Sequence, residues 1–100
     1  MRIVIIGAGN AGKNLAERLS NEQHDIVIVD RDPDKLASVQ SQVDIQTVEG
    51  EGTDPFVLEE AGIRKADLLV AVTNRDEVNI LTCAFANLVG VPMKVARVSS

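Results

Sequence analysis

The sequence predicts an α/β fold, a single domain built on a doubly wound parallel sheet with strand order 3-2-1-4-5. Three observations carry that expectation. Five short runs rich in Val, Ile and Leu alternate with segments of helical pattern. Most of these runs are continuously apolar instead of alternating, which marks strands buried on both faces of a parallel sheet. The first run enters a glycine-rich turn, and crossovers between parallel strands are right-handed by strong precedent.

The first strand is read at Arg2–Ile6 and leads into Gly7-Ala8-Gly9-Asn10-Ala11-Gly12. A helix follows from about Asn10 to Ser20, with Ala11, Leu15 and Leu19 on one face. Ile26–Val29 is the second strand. Asp32 caps the next helix and Pro33 sits in its first turn, with Leu36, Val39 and Gln40 following before Val43. The third strand, Ile45–Glu49, alternates more, as expected near a sheet edge. Asp54-Pro55 begins a short helix that Gly62 ends, and Leu68–Val72 is the fourth strand. The fourth helix is expected to start at Asn74, where Glu77 comes close to completing a capping box. Ile80, Leu81, Ala84, Phe85 and Leu88 form its expected buried stripe, Gly90 stops it, and Pro92 follows. Lys94–Val98 is the fifth strand. No solenoid repeat, low-complexity segment or linker breaks the pattern. Residues 1–100 are expected to form one domain, without the sixth strand of the full fold and without a C-terminal lobe.

Composition excludes several functions. The chain is 45% hydrophobic and has two Phe, no Tyr and no Trp, so its core is aliphatic and it lacks the stacking platforms of single-stranded nucleic-acid binders. Ten basic against fifteen acidic residues give a net charge of −5, which does not support a phosphate-backbone footprint; no nucleic-acid partner is expected. Phosphate is expected to be held locally, by backbone amides. Cys83 is the only cysteine, so neither an intrachain disulfide nor a cysteine metal cluster forms. The run before Gly7 is too short for a signal peptide, and no apolar stretch approaches the ~20 residues of a membrane span. The chain is therefore expected to be cytoplasmic, without insertion into a membrane.

The glycine turn carries the chemistry. Gly7, Gly9 and Gly12 follow a strand and open a helix, and Asp30 closes the next apolar run eighteen positions after Gly12. In that context G-x-G-x-x-G is the dinucleotide-binding fingerprint of the Rossmann-like fold. Gly7 permits the tight turn, Gly9 lets the backbone approach a pyrophosphate, and Gly12 allows close helix packing. The helix start points unpaired N–H groups at the phosphates. Asp30 is placed to take the two ribose hydroxyls, and its charge argues for an unphosphorylated ribose.

In such a sheet the ligand lies outside the carboxyl ends of the strands, at the switch point between strands 1 and 4. Four loops meet there: Gly7–Gly12, Asp30–Asp32, Gly50–Thr53 and Thr73-Asn74, with Arg97 on the same rim. Each also has a structural role available to it. The glycines can serve only the turn, Asp30 can be a surface acid, and Asp32 reads as a helix cap. Arg31 either covers an adenine face, meets a 2′-phosphate or is solvated. Glu51 is either solvated or adenine-facing, and Gly50 and Gly52 either turn the chain or allow close approach of adenine. Thr73 and Asn74 read as helix caps that can also touch the second ribose. Arg97 suits a phosphate, or a carboxylate such as Glu77. His24 reads as a solvated residue far from the rim, and Cys83 as packing. No base–nucleophile pair, metal-ligand spacing or general acid is found at the rim, so catalytic and metal-binding residues are not expected.

With these residues placed, the chain resembles the nucleotide-binding N-terminal domain of the Trk/Ktr potassium-uptake regulators (the KTN, RCK or TrkA-N domain). The resemblance rests on the segments Arg2–Gly12, Asp25–Asp30, Gly50–Pro55, Leu58–Gly62, Ala66–Asn74, Asp76–Asn79 and Ala96–Val98. Ala-Asp-x-x-x-Ala-Val-Thr followed by Asp-Glu-x-Asn discriminates best, because catalytic dehydrogenases rarely continue that way. It implies a non-enzymatic regulatory subunit, cytoplasmic and peripheral to the inner face of the membrane. Such a subunit docks on a membrane potassium transporter and binds NAD(H) or adenine nucleotides. Carried over by motif, its ligand contacts fall on Gly7 to Ala11, Asp30, Thr73, Asn74 and Arg97. Members that select ATP often carry a basic residue inside the glycine loop. Here that place is Asn10, which favours NAD(H) and leaves ADP or ATP open. A homodimer, or a higher homo-oligomer, is expected through the fourth helix and the fifth strand. The competing expectations are the cofactor-binding half of an NAD-dependent dehydrogenase or reductase, and a module that only dimerises.

Overall fold

The computed structural model describes residues 1–99. The elements run β1 (Arg2–Ile6), α1 (Asn10–Ser20), β2 (Asp25–Asp30), α2 (Pro33–Gln40) and β3 (Gln46–Glu49). They continue with α3 (Pro55–Glu60), a 3₁₀ turn at Ile63–Lys65, β4 (Leu68–Ala71), α4 (Asp76–Leu88) and β5 (Met93–Ala96). The five strands form one sheet in the expected order β3-β2-β1-β4-β5. All pairs are parallel, with Ile6 opposite Val29 on one side and Ala71 on the other. That register brings the carboxyl ends of the three central strands to one edge.

The strand period of two divides the core between the sheet's faces. Ile3, Ile5, Ile26 and Ile28 point to one side and bury Ala16 of α1 and Leu36 and Val39 of α2. Val4, Ile6, Val27, Val29 and Leu69 point to the other, against Leu58 of α3 and Ala86 of α4. Every one of these side chains is aliphatic, as the composition requires. Leu36 and Val39 pack as expected, whereas Gln40 is exposed. On α1 the fully buried positions are Gly12 and Ala16, with Leu15 and Leu19 only partly covered.

Two helix starts follow directly from Asx-Pro chemistry. Asp32 Oδ1 accepts from the Asp34 N–H at 2.9 Å, and Asp54 Oδ1 accepts from the Phe56 N–H at 2.9 Å. In each case proline fills the first helical position, where no N–H is needed. Gly62 ends α3 with φ +80°, and the 3₁₀ turn after it has no counterpart in the sequence expectation.

The largest departure concerns α4. It begins at Asp76 with Arg75 as N-cap, two residues later than expected, so neither Asn74 nor a capping box starts it. Its buried positions are Val78, Asn79, Thr82 and Ala86. The expected stripe faces away: Ile80 is 52%, Leu81 58% and Leu88 82% exposed, and Ala84 is exposed too, with only Phe85 partly buried. The helix has two apolar sectors, and hydrogen bonds decide which one turns inward. Thr82 Oγ1 donates to the Gly52 carbonyl at 2.7 Å, and Asn79 bonds to two loops, so polar residues occupy the buried face at no unpaired cost.

Candidate functional site

The carboxyl edge of the sheet opens into a cleft of about 310 Å³, within the range of ligand pockets. Its walls come from four strand–helix loops and from Arg97 just beyond β5. Gly7 turns the chain at the end of β1 with φ +111°, a conformation only glycine adopts freely, and its N–H donates to the Val29 carbonyl at 2.8 Å. A Cβ on Gly12 would stand 1.8 Å from the Gly7 carbonyl oxygen, so α1 sits directly on the turn. A Cβ on Gly9 would meet nothing within 4 Å. The space in front of Gly9 is thus open at the start of α1, whose N-terminus has no side-chain cap. Free amides and open space are the two requirements of a backbone cradle for phosphate.

Asp30 braces this loop. Its Oδ2 accepts from the Ala8 N–H at 2.8 Å and its Oδ1 from the Asp32 N–H at 2.8 Å. Each oxygen keeps a second lone pair, so the carboxylate remains able to accept from hydroxyls in the cleft.

On the opposite lip, Asn79 is fully buried and makes four hydrogen bonds. Its Oδ1 accepts from Thr73 N–H at 2.9 Å and Thr73 Oγ1 at 2.7 Å; its Nδ2 donates to the carbonyls of Thr73 at 3.1 Å and Arg97 at 2.9 Å. Thr73 Oγ1 also accepts from the Arg75 N–H at 3.1 Å. Arg97 Nη2 donates to the Thr73 carbonyl at 2.8 Å, and that, rather than Glu77, is its partner. One buried amide thereby fixes the β4–α4 loop to the end of β5. Replacing Asn79 with Leu leaves the part-buried Thr73 N–H and Arg97 carbonyl without partners, and is expected to cost about 3 kcal/mol in urea unfolding. A loss below about 1 kcal/mol would contradict this role.

Charge is concentrated at the cleft although the chain is acidic overall. Arg31, Lys35, Arg75 and Arg97 line it against Asp30, Asp32 and Glu51, one positive charge in excess. Phosphate attraction therefore does not rest on backbone amides alone, as composition implied. Glu51 pairs with Arg75 at 2.9 Å and with Arg31 at 3.3 Å. The hydrogen bond from Arg75, with the charges of both guanidinium groups, holds its carboxyl below the ordinary carboxylate value and keeps it ionised at neutral pH.

Gly7, Gly9, Asn10, Ala11, Asp30, Arg31, Glu51, Gly52, Thr73, Asn74 and Arg97 line the cleft together. Ala8 and Gly12 do not: Ala8 is buried and spends its N–H on Asp30, and Gly12 is the contact between helix and turn. Gly52 lines the wall, yet the space a side chain would need is filled by Ile6 at 2.4 Å, so close packing explains this glycine. Lys35 and Arg75 also line the cleft, and Asn79 supports its lip, none of which the sequence reading includes. Only Asn79 left a signal, in the run Asp76-Glu77-Val78-Asn79. His24 is remote from the cleft but half-buried, its Nδ1 3.3 Å from the Met1 amino group. Cys83 packs against the core, and burial pushes its thiol up. No group of His, Cys, Asp and Glu among the described residues is arranged to hold a metal ion.

Comparison with known proteins supplies the family. The TrkA-N domain model matches residues 3–100. The chain is 50% identical over 99 residues to a Trk system potassium uptake protein TrkA of Halomonas elongata, which covers 98% of this chain and 22% of that protein. The chain thus spans about a fifth of such relatives. Among solved structures, the NAD(P)-binding domain of an exopolyphosphatase-related protein from Archaeoglobus fulgidus superposes with TM-score 0.83 at 20% identity, over 98% of this chain and 73% of that one. The C-terminal domain of Shewanella denitrificans Kef, in its AMP-bound form, gives 0.78 at 24% identity, over 95% and 57%. These two likenesses show the fold. With the fingerprint, the sheet order and the family match in agreement, the chain belongs to the TrkA-N domain family.

Proposed function

We infer that this chain is the nucleotide-sensing domain of a potassium-uptake regulator and that its cleft binds NAD(H). The observation that carries this is the open cradle at Gly9 beside the Asp30 carboxylate, both lining one cleft. The amides of Gly9 to Ala11 receive the pyrophosphate, Asp30 takes the adenosine ribose, and Thr73, Asn74 and Arg97 serve the second half of the dinucleotide. A bound dinucleotide acts here as a signal and undergoes no reaction. Of the two structural neighbours, one is AMP-bound and the other is an NAD(P)-binding domain, which supports an adenosine moiety as the common element.

Occupancy is read out mechanically. Arg97 contacts both the cleft and the Thr73 carbonyl, and Asn79 ties its backbone to the same loop. A phosphate that draws the Arg97 guanidinium therefore acts on the chain leaving β5. A ligand shifts such an equilibrium only by its differential affinity for the two arrangements. The partner is a membrane potassium-transporter subunit, bound peripherally at the cytoplasmic face; no helix of the described residues is long and apolar enough to cross a membrane. Self-association uses the exposed apolar surface of α4 and β5, where Ile80, Leu81, Leu88, Met93 and Val95 stand in water. Light scattering at micromolar concentration is expected to give a dimer or larger; a monomer overturns that assignment.

Calorimetric titration with NAD⁺, NADH, ATP and ADP tests the ligand. Saturable binding of NAD(H) is the expected result. Binding of ATP or ADP alone transfers the site to adenine nucleotides, and binding of none refutes it.

A further inference from the structure

Glu51 holds two arginines from opposite lips of the cleft with a single carboxylate. Arg31 directly follows Asp30 and lines the same cleft. Arg75 is the N-cap of α4, on the far lip. Glu51 rises between them from the β3–α3 loop, with Oε2 on Arg31 and Oε1 on Arg75. Without that carboxylate, both guanidinium groups are free to turn toward an anion, and the cleft's excess of one positive charge becomes two.

A 2′-phosphate on the adenosine ribose seeks just this environment, because guanidinium matches phosphate geometry in a bidentate contact. Asp30 opposes such a phosphate by its charge. Its oxygens, however, already accept two backbone N–H groups, which offset part of that charge. Repulsion from Asp30 is therefore incomplete, and the free or captive state of Arg31 decides the outcome. Arg31 is 60% exposed and its pair with Glu51 is the longer of the two, so it is readily redirected once the carboxylate is neutral.

We propose that Glu51, anchored by Arg75, is a specificity-determining residue that excludes 2′-phosphorylated dinucleotides by holding Arg31 captive. This rests on the nucleotide assignment above. Removing the charge of Glu51 frees Arg31 for a phosphate and raises the affinity for NADPH relative to NADH.

Titration of the wild-type chain, Glu51→Gln and the double variant Arg31→Ala with Glu51→Gln against NADH and NADPH separates the possibilities. The wild type is expected to favour NADH. The affinity ratio in E51Q shifts toward NADPH by about tenfold or more, the size of one charge-assisted hydrogen bond, with a steeper salt dependence for NADPH. The double variant returns to the wild-type ratio, a reversal that loss of a merely structural contact does not produce. A ratio in E51Q within about twofold of wild type, with NADH still bound, overturns the proposal alone. So does a gain that survives removal of Arg31. Failure of the wild type to bind NADH or any adenine nucleotide overturns the site assignment and this proposal with it.

Discussion

Replacing Asp30 with Ala is expected to weaken NAD(H) binding at least about a hundredfold, since two hydrogen bonds from ribose hydroxyls to a charged acceptor are lost together. The same substitution acts on the scaffold. Ala8 N–H and Asp32 N–H lose their acceptor, and both lie at the junction of β1, β2 and their loops. Unpaired groups of this kind cost about 1–3 kcal/mol, so the melting temperature falls by several degrees as well. Asp30→Asn separates the two effects. An amide oxygen still accepts a backbone N–H and recovers part of the stability, but without charge it restores little of the NAD(H) binding. Calorimetry beside thermal melts reads both quantities. An alanine variant that binds NADH within threefold of wild type would remove Asp30 from the ligand site and leave it only its structural role.

The second large effect is expected at Gly12. Alanine usually stabilises a helix interior relative to glycine by about 0.5–1 kcal/mol. Here the added Cβ lands 1.8 Å from the Gly7 carbonyl oxygen and 2.9 Å from its carbon, and both are backbone atoms that cannot rotate away. The sign therefore reverses. Gly12→Ala must push α1 off the turn, at a cost of about 3 kcal/mol or more, a large fraction of what holds a domain of this size. Gly9→Ala supplies the contrast. Its Cβ enters open space, so stability changes little while the methyl group intrudes on the phosphate cradle and weakens nucleotide binding. Urea unfolding of the pair distinguishes a glycine kept for packing from one kept for ligand approach. A Gly12→Ala protein as stable as wild type would contradict the close contact of helix and turn.

Several features were legible in the sequence because one local rule fixes each of them. Uninterrupted apolar runs such as Ile3–Ile6 and Ile26–Val29 specify parallel strands, and Asp-Pro at 32–33 and 54–55 specifies helix starts. The glycine spacing and Asp30 then locate the cleft, since the fold places strand ends in a known order. The buried face of α4 was not legible. Periodicity counts apolar residues without regard to where the loops need hydrogen bonds, and α4 carries Ile80, Leu81 and Leu88 on one side but Asn79 and Thr82 on the other. The polar side is the buried one because Thr73, Arg97 and Gly52 supply its partners. Those partners lie 6, 18 and 30 residues away, all of them outside the helix itself. Arg75 and Lys35 escaped for a related reason: a lone basic residue at a helix start looks solvated until the opposite lip of the cleft is known. Ala8 shows the converse. It lies inside the fingerprint, yet its N–H is committed to Asp30 and its side chain is buried.

If the carboxyl edge of this sheet is a dinucleotide site, amide chemical shifts of the ¹⁵N-labelled chain during titration with NADH will locate it. Saturable shifts are expected at Gly9, Asn10, Ala11, Arg31, Thr73, Asn74 and Arg97, with Arg2, Gly62 and Lys65 at the opposite edge unmoved. Shifts centred on that opposite edge, or none at millimolar NADH, would contradict it.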